Sequence, residues 1–485
     1  MSSNRPVLVG IAQLEQRIDN PAEAKEPVEL MIEAVKQAAQ DAGSSELLNA
    51  TSVRVIRGIW PYQNPAKAVA QAIGNPNAET AITPYGGNFV QTTLNKSALD
   101  IQAGNHDIII ITGAECGNTQ AKAARAGFDL QWQTLPGTPD LAMGEEVEMR
   151  HDAEKAVRLG KPIQLYPIFE TALRHAMGLG VQEHLAHISE LWASFSEVAS
   201  HNPHAWIRDA KSALEIRTPS AINRPVSFPY PKFMNSNNNV DQGAALILCS
   251  EEKAKSLGIP KEKWVYPWAG TDAHDHYFVS NRDTLCGSPA IRLAGNRALE
   301  LAGMSVADID KVDVYSCFPV AVQVAARELG LDTSKPLTVT GGLTWAGGPL
   351  NNYVMHSIAR MAELLREAPG DKGFITANGG YLTKHAFGVY STEPPSQGFQ
   401  HNDLQSEVDA LYKRDVALEH TGPASIEGYT VMYSPTAPEQ AFIAARLDDD
   451  RRVWATTKDA DVMQAMTEEE FCGRTINISG NLAQF

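Results

Sequence analysis

Strand and helix signals occur twice in the same order along this chain, and this repetition constrains the fold more than any other feature. In the first half, apolar strands alternate with amphipathic helices at 7–11, 27–43, 53–59, 92–103 and 107–112. The second half repeats the alternation at 288–303, 312–315, 355–365 and 373–377. The pattern predicts a duplicated α/β unit, although any two α/β segments look alike at this level of detail.

Two stretches interrupt this alternation. Residues 121–235 are rich in Pro, His and Trp and predict an inserted helical and loop region. After a linker at 391–400, the apolar period becomes two, which is typical of strands. The strands predicted there, at 425–433, 441–447 and 451–457, indicate a small β module over 405–485. A five-stranded barrel of the oligonucleotide- or oligosaccharide-binding type is the structure that we expect for it.

Length and charge limit the functions of the chain. Its 485 residues exceed the size at which one core stops growing, about 250–300 residues. Its net charge of −16 argues against a surface for nucleic acid or an anionic membrane, and it requires a locally positive pocket for any anionic ligand. Five irregularly spaced cysteines and short apolar runs predict a reduced, cytoplasmic protein without a membrane span.

Common catalytic and metal motifs are absent from the sequence. It contains no phosphate-loop or dinucleotide glycine pattern and no Gly-x-Ser-x-Gly. His274 and His276 have a spacing that suits a metal, as do His201 and His204, but no Cys pair or carboxylate cluster supports either pair. We therefore interpret both pairs as solvated turns and predict no metal.

Several segments resemble the thiolase family, most closely the thiolases of the sterol carrier protein type. The run DQGAALILCSEEKA at 241–254 is similar to the strand and helix that close the thiolase N-terminal half. The runs MSVADID at 304–310 and VYSCF at 314–318 are similar to the segment that in the family ends His-Asp-Cys-Phe or Asn-Glu-Ala-Phe. The resemblance covers about 6–392 in the family's order. It implies the five-layered αβαβα thiolase fold, with halves at 1–268 and 269–395.

The resemblance also shows which catalytic residues are missing. The family's nucleophilic cysteine falls on Gly87, its Gly-His-Pro histidine on Gly348, its second cysteine on Ala377, and its fourth catalytic position on Tyr315. A thiolase needs a thiolate, a histidine that activates it, and an acid/base cysteine. Ordinary thiolysis is therefore not expected. The pattern looks like the type 1 thiolase-like proteins, which carry an additional C-terminal domain and are commonly labelled acetyl-CoA acetyltransferases.

Some residues near the expected pocket could still take part in catalysis. Tyr315, Tyr381, His385 and Cys317 are the candidate catalytic side chains, although a packed aromatic, a loop histidine and a small buried thiol are the structural alternatives. Steroid-type aldolases that resemble thiolases also carry Tyr at the position of Tyr315. Backbone N–H groups for an oxyanion pocket are expected from Gly86, Gly87, Gly347, Gly348, Gly379 and Gly380.

The sequence thus leaves three functions open. The first is an enzyme of lipid metabolism, an acyltransferase or a Claisen or retro-aldol catalyst, acting on an acyl-CoA thioester. The second is a non-catalytic protein that binds such esters, and the third is a scaffold. No tightly bound cofactor is predicted, but coenzyme A or acyl-CoA is the expected ligand, and the resemblance suggests a homodimer. The CoA phosphates would lie against the basic side chains of the insertion, Arg208, Lys211, Arg217 and Arg224.

Overall fold

A computed structural model describes residues 4–435 and 437–485. Its strands are β1 (Pro6–Glu15), β2 (Ser52–Val55), β3 (Glu79–Ile82), β4 (Ile108–Cys116), β5 (Leu141–Ala142), β6 (Pro225–Ser227), β7 (Tyr230–Pro231), β8 (Asp241–Ser250), β9 (Tyr266–His274), β10 (Lys311–Asp313), β11 (Lys372–Gly379), β12 (Lys384–Ser391), β13 (Gln400–Asp403), β14 (His420–Tyr433), β15 (Pro438–Arg446), β16 (Arg452–Thr457), β17 (Thr475–Gly480) and β18 (Leu482–Gln484).

The helices begin most often at a proline or just after a capping residue, as expected for their first turns. They are α1 (Pro27–Asp41), α2 (Pro65–Ala72), α3 (Phe89–Ala103), α4 (Gly117–Ala126), α5 (Asp152–Ala156), α6 (Pro162–Met177), α7 (Val181–His201), α8 (Ala213–Arg217), α9 (Glu251–Ser256), α10 (Pro289–Leu301), α11 (Pro319–Leu329), α12 (Gly342–Trp345), α13 (Tyr353–Glu367), α14 (Gln405–Asp409) and α15 (Ala460–Glu468).

Two sheets and three helical layers build the main body. The first sheet has the order β1-β8-β4-β2-β3-β5, and the second has the order β10-β11-β12-β9-β13. Helices α3 and α13 lie between the sheets, α1 and α2 cover the outer face of the first, and α10 covers the outer face of the second. This arrangement is the predicted αβαβα layering of a duplicated α/β unit.

The middle layer explains why α3 is buried although it is polar. Gln91 accepts a hydrogen bond from the Tyr390 hydroxyl at 2.8 Å, and Asn95 donates to Asp272 at 3.0 Å. Both residues lie among the buried positions of α3, where unpaired polar groups would be costly. The helix therefore sits in one register between the sheets, and this register fixes the loop that precedes it.

The C-terminal module is a closed barrel. Strands β14, β15, β16, β18 and β17 follow one another around it, and the β14–β15 pairing completes the ring. Helix α15 lies between the third and fourth strands in the chain. This is the five-stranded barrel predicted for the region. The module also pairs with the insertion, because β14 contacts β6 through Met432 and Ser227.

Candidate functional site

The position of the missing nucleophile is closed by a tyrosine. Gly87 lies in the loop just before α3. A Cβ atom built on Gly87 would lie 2.4 Å from the Tyr315 hydroxyl oxygen and 2.4 Å from the backbone oxygen of Asn378. Real Cβ atoms essentially never approach heavy atoms this closely, so no side chain fits at position 87 without movement of its surroundings.

The other two vacated positions offer no chemistry either. The Gly348 N–H already donates to the Asn237 carbonyl at 2.9 Å, and a Cβ there would lie 3.1 Å from the Asn238 side-chain oxygen. Ala377 lies in β11 and is 1% exposed. Because neither residue carries an ionisable group, the thiolate, its activating base and the second acid/base are all missing.

A small void lies beside Tyr315 and Ala377. It measures about 10 Å³, and Tyr315, Ala377, Asn378 and His385 are among the residues that line it. A volume of about 10–15 Å³ is what a single water molecule needs. The void is therefore too small for the acyl group of a thioester.

A buried hydrogen-bond network holds Tyr353, whose ring packs against Tyr315. The ring of Tyr315 meets the ring of Tyr353 edge to face, with centroids 5.5 Å apart. Tyr353 donates to the fully buried Asp313 carboxylate at 3.1 Å, and Ser357 donates to the same carboxylate at 2.7 Å. The second carboxylate oxygen of Asp313 accepts a hydrogen bond from the Val339 N–H at 2.9 Å. Burial raises the pKa of Tyr315 well above its ordinary value, which opposes a role as an acid near neutral pH.

Cys317 lies under a layer of stacked aromatic rings. Its thiol is buried, and burial raises its pKa to about 12, so the reactive thiolate is scarce at neutral pH. Next to it, the Tyr166 ring stacks on Phe318 with centroids 4.5 Å apart. The Tyr166 hydroxyl accepts from the Leu382 N–H at 2.8 Å. These contacts indicate that Cys317 is a buried packing residue rather than a nucleophile.

His385 reaches the void but is held from behind. It is 2% exposed, and its Nε2 lies 3.6 Å from a carboxylate oxygen of Asp275. Although burial opposes it, the hydrogen bond from His385 and the charge of Arg282 keep the pKa of Asp275 below its ordinary value. The Ser288 hydroxyl donates to Asp275 and also caps α10. The Ser288 hydroxyl proton thus points to the Asp275 carboxylate and not to His385. Ser288, His385 and Asp275 are therefore not arranged as a catalytic triad, in which the histidine accepts the proton of the serine.

Tyr381 and the predicted oxyanion glycines are engaged in packing. The Tyr381 hydroxyl donates to the Gly160 carbonyl at 2.6 Å. The Gly86 N–H donates to the Asn351 side chain at 3.1 Å, and the Gly380 carbonyl accepts from Tyr166. Side chains also crowd two further glycines, since a Cβ would lie 2.2 Å from Gln242 at Gly347 and 2.6 Å from Asn88 at Gly379. These glycines permit close approach of neighbouring segments.

The basic side chains of the insertion have different surroundings. Lys211 forms an ion pair with Asp209, which is the competing interpretation of this stretch. Arg217 donates to the Ser189 hydroxyl at 3.2 Å, and Arg224 donates to the Pro225 carbonyl at 2.9 Å. Arg208 is exposed, and within the described residues no carboxylate lies within 4.0 Å of its guanidinium. Arg208 and Arg224 therefore remain available to an anionic ligand.

Among residues 4–435 and 437–485, no group of three or more His, Cys, Asp or Glu side chains is placed to hold a metal ion. In the same residues, no helix combines the length and the apolar character that crossing a bilayer requires.

Known proteins share this fold and this order of segments. A monomeric SCP2-thiolase like protein type 1 from Mycobacterium smegmatis is 32% identical, with a TM-score of 0.85 and full coverage of both chains. An Ltp2-ChsH2(DUF35) aldolase is 19% identical and has a TM-score of 0.60, with 80% of this chain and 98% of that chain covered. The second likeness is one of fold alone.

Sequence relatives and family descriptions agree with this. An acetyl-CoA acetyltransferase of Methanocaldococcus jannaschii is 22% identical over 241 residues, which are 49% of this chain and about half, 53%, of that protein. The description "Thiolase C-terminal domain-like" matches residues 271–335, and "Thiolase-like protein type 1 additional C-terminal domain" matches residues 403–481. The layered fold defines a thiolase-superfamily protein, and the residues at the positions that the resemblance assigns to the two catalytic cysteines and the histidine carry no ionisable group. Within that superfamily, the chain belongs to the type 1 thiolase-like proteins, as the resemblance predicted.

Proposed function

We propose that this protein binds coenzyme A thioesters without turning them over. The observation that carries the proposal is the Tyr315 hydroxyl in the space that a side chain at position 87 would need. A thiolase must bring its acyl group to that point, and here the space is filled by the chain itself. The geometry thus favours the non-catalytic alternative over the acyltransferase. The expected setting, on the basis of the resemblance, is cytoplasmic lipid metabolism.

Support for the ligand comes from the insertion. Arg208 and Arg224 are exposed cations in a chain of net charge −16, so each offers a positive contact to an anionic ligand. Charge-assisted contacts to phosphate contribute about 1.5–3 kcal/mol each when well formed. A human mitochondrial 3-ketoacyl-CoA thiolase of the same fold has been solved with CoA. That likeness, at 18% identity, supports the fold and leaves the ligand as our proposal.

Titration calorimetry with CoA and acetyl-CoA tests the binding. We expect saturable binding that weakens about tenfold in Arg208→Ala or Arg224→Ala, with a smaller difference at high salt because screening reduces the contribution of these charges. Arg327→Ala is the matched control, since Arg327 is an exposed arginine on α11, outside the insertion. Absence of heat and of saturable binding at millimolar ligand would remove the proposal and favour the scaffold.

Retro-aldol chemistry is the second candidate. The Tyr315 hydroxyl oxygen lies 2.4 Å from the Gly87 Cβ position, and Tyr315 and His385 line one small void. The aldolase neighbour makes this chemistry a candidate for the fold. Cleavage of a β-hydroxyacyl-CoA by the wild type, lost in Tyr315→Phe, would establish it over the binding function.

The oligomeric state differs between relatives. The peroxisomal thiolase of Saccharomyces cerevisiae is dimeric, whereas the Mycobacterium smegmatis protein is monomeric. In this chain β5 pairs along the outer edge of β3, through Leu141 beside Ala81 and Ala142 beside Ile82. An edge that is already paired is less available to a second copy, which supports a monomer rather than the homodimer suggested by the resemblance.

A further inference from the structure

A second cavity lies between the end of α7 and the C-terminal half, lined by none of the vacated catalytic positions. It is a groove of about 680 Å³, lined by residues from the end of α7, from β10 with its flanking segments, from 330–339 and from α13. Volumes of about 300–1,000 Å³ are typical of sites for small molecules. Its walls are largely aliphatic, with side chains that include Val198, Ile309, Val312, Leu331, Leu337 and Leu364.

The cations of this groove are only partly neutralised. Lys335 is exposed, and within the described part of the chain no carboxylate lies within 4.0 Å of its ammonium group. The Arg360 side chain is 17% exposed and lines the groove, and it donates an N–H to Glu363 at 2.8 Å. A partly exposed guanidinium can donate a further charge-assisted hydrogen bond to an anionic oxygen.

The acids in the same walls are already engaged. Asp310 accepts from the Lys372 N–H at 2.8 Å, and Asp332 accepts from the Ser334 N–H at 3.0 Å. The two carboxylates therefore accept hydrogen bonds from backbone N–H groups of their own neighbourhood. What the groove offers to a ligand is an aliphatic surface together with Lys335 and the guanidinium of Arg360.

We propose that this groove binds a straight-chain fatty carboxylate. The alkyl chain would lie along the aliphatic walls, where its burial is favourable in proportion to the apolar area removed from water. The carboxylate would accept hydrogen bonds from Arg360 and Lys335. The proposal does not depend on CoA binding, because none of the basic side chains of the insertion lines the groove.

Displacement of the fluorescent fatty acid cis-parinaric acid by dodecanoate from the full-length protein tests the proposal. We expect saturable binding at one site and weaker displacement by dodecanol, which has the same chain without the charge. Ala307→Trp should abolish binding, since Ala307 is an exposed residue of the groove wall and an indole there would fill it. Lys335→Glu should weaken dodecanoate binding about tenfold.

Lys458→Glu is the matched control, because Lys458 is an exposed lysine of the C-terminal module and the substitution changes the net charge equally. Equal binding of dodecanol and dodecanoate would overturn the role of the carboxylate. Binding that survives Ala307→Trp in a folded variant would overturn the assignment of the groove. Absence of saturable binding in the wild type would overturn the proposal altogether, and the CoA titration would be unaffected.

Discussion

Replacing Gly87 by cysteine is expected to destabilise the protein by about 3 kcal/mol, at the upper end of the usual cost of overpacking. The substitution restores the nucleophile that a thiolase has at this position. Its Cβ would nevertheless lie 2.4 Å from both the Tyr315 hydroxyl oxygen and the backbone oxygen of Asn378. The backbone contact cannot be relieved by a rotamer change, so the strand or the loop must shift. Urea unfolding measures the effect.

Gly180→Cys is the control for this substitution. Gly180 precedes α7 with an ordinary φ of −69°, and a Cβ there meets nothing within 4 Å. A combination of Gly87→Cys with Tyr315→Ser should be less destabilised than the sum of the two single changes, because the pair shares one clash. A Gly87→Cys protein as stable as the wild type would show that the loop has room for a nucleophile.

Replacing Arg452 by methionine is expected to loosen the C-terminal barrel from the main body and to cost about 3 kcal/mol. Arg452 is fully buried and donates to the Glu427 carboxylate at 2.7 Å. Its Nη1 donates to the carbonyls of Ser280 and Arg282 at 2.9 and 2.7 Å. Methionine fills much of the volume but leaves the buried oxygens without a donor. Calorimetry should show a new transition at lower temperature.

Arg451→Met is the matched control, since the exposed guanidinium of Arg451 pairs with Asp449 and with no other carboxylate of the described residues. The sequence predicts that 405–485 folds as a separate unit and that proteases cut first within 391–400, and this stays a prediction. Cleavage there should be faster in Arg452→Met than in the wild type or Arg451→Met. Identical melting and cleavage in all three proteins would mean that Arg452 does not hold the barrel in place.

Much of the fold could be predicted where local patterns agree with the tertiary structure. The helix expected at 27–43 is α1, and the apolar strand expected at 107–112 overlaps β4. Helix α6 lies in the predicted helical and loop region, but its bounds could not be predicted, because Pro167 lies inside it and normally indicates a helix end. Strand β14 begins at His420, well before the expected 425. The prediction was late because Pro423 normally indicates a turn, whereas in the structure it pairs with Asn477 of β17.

The candidate site could be predicted only in part. Motif order predicts the vacated positions at Gly87, Gly348 and Ala377, and this assignment stays a prediction. The sequence could not show that Tyr315 fills the space beside Gly87, because these residues are far apart in the chain and meet only when the sheets pack on the middle layer. The sequence likewise gives no sign that the Asp313 carboxylate accepts a hydrogen bond from Tyr353, because the donors come from distant parts of the chain.

The most direct test of a closed catalytic site is thiolysis of acetoacetyl-CoA by the purified protein. We expect no CoA-dependent rate above the buffer background and no acyl adduct on Cys317 or any other cysteine by mass spectrometry. The reason is that the nucleophile position has no side chain and its space holds Tyr315. Thiolysis at a rate comparable to that of a thiolase, or a covalent acyl-cysteine, would contradict the account.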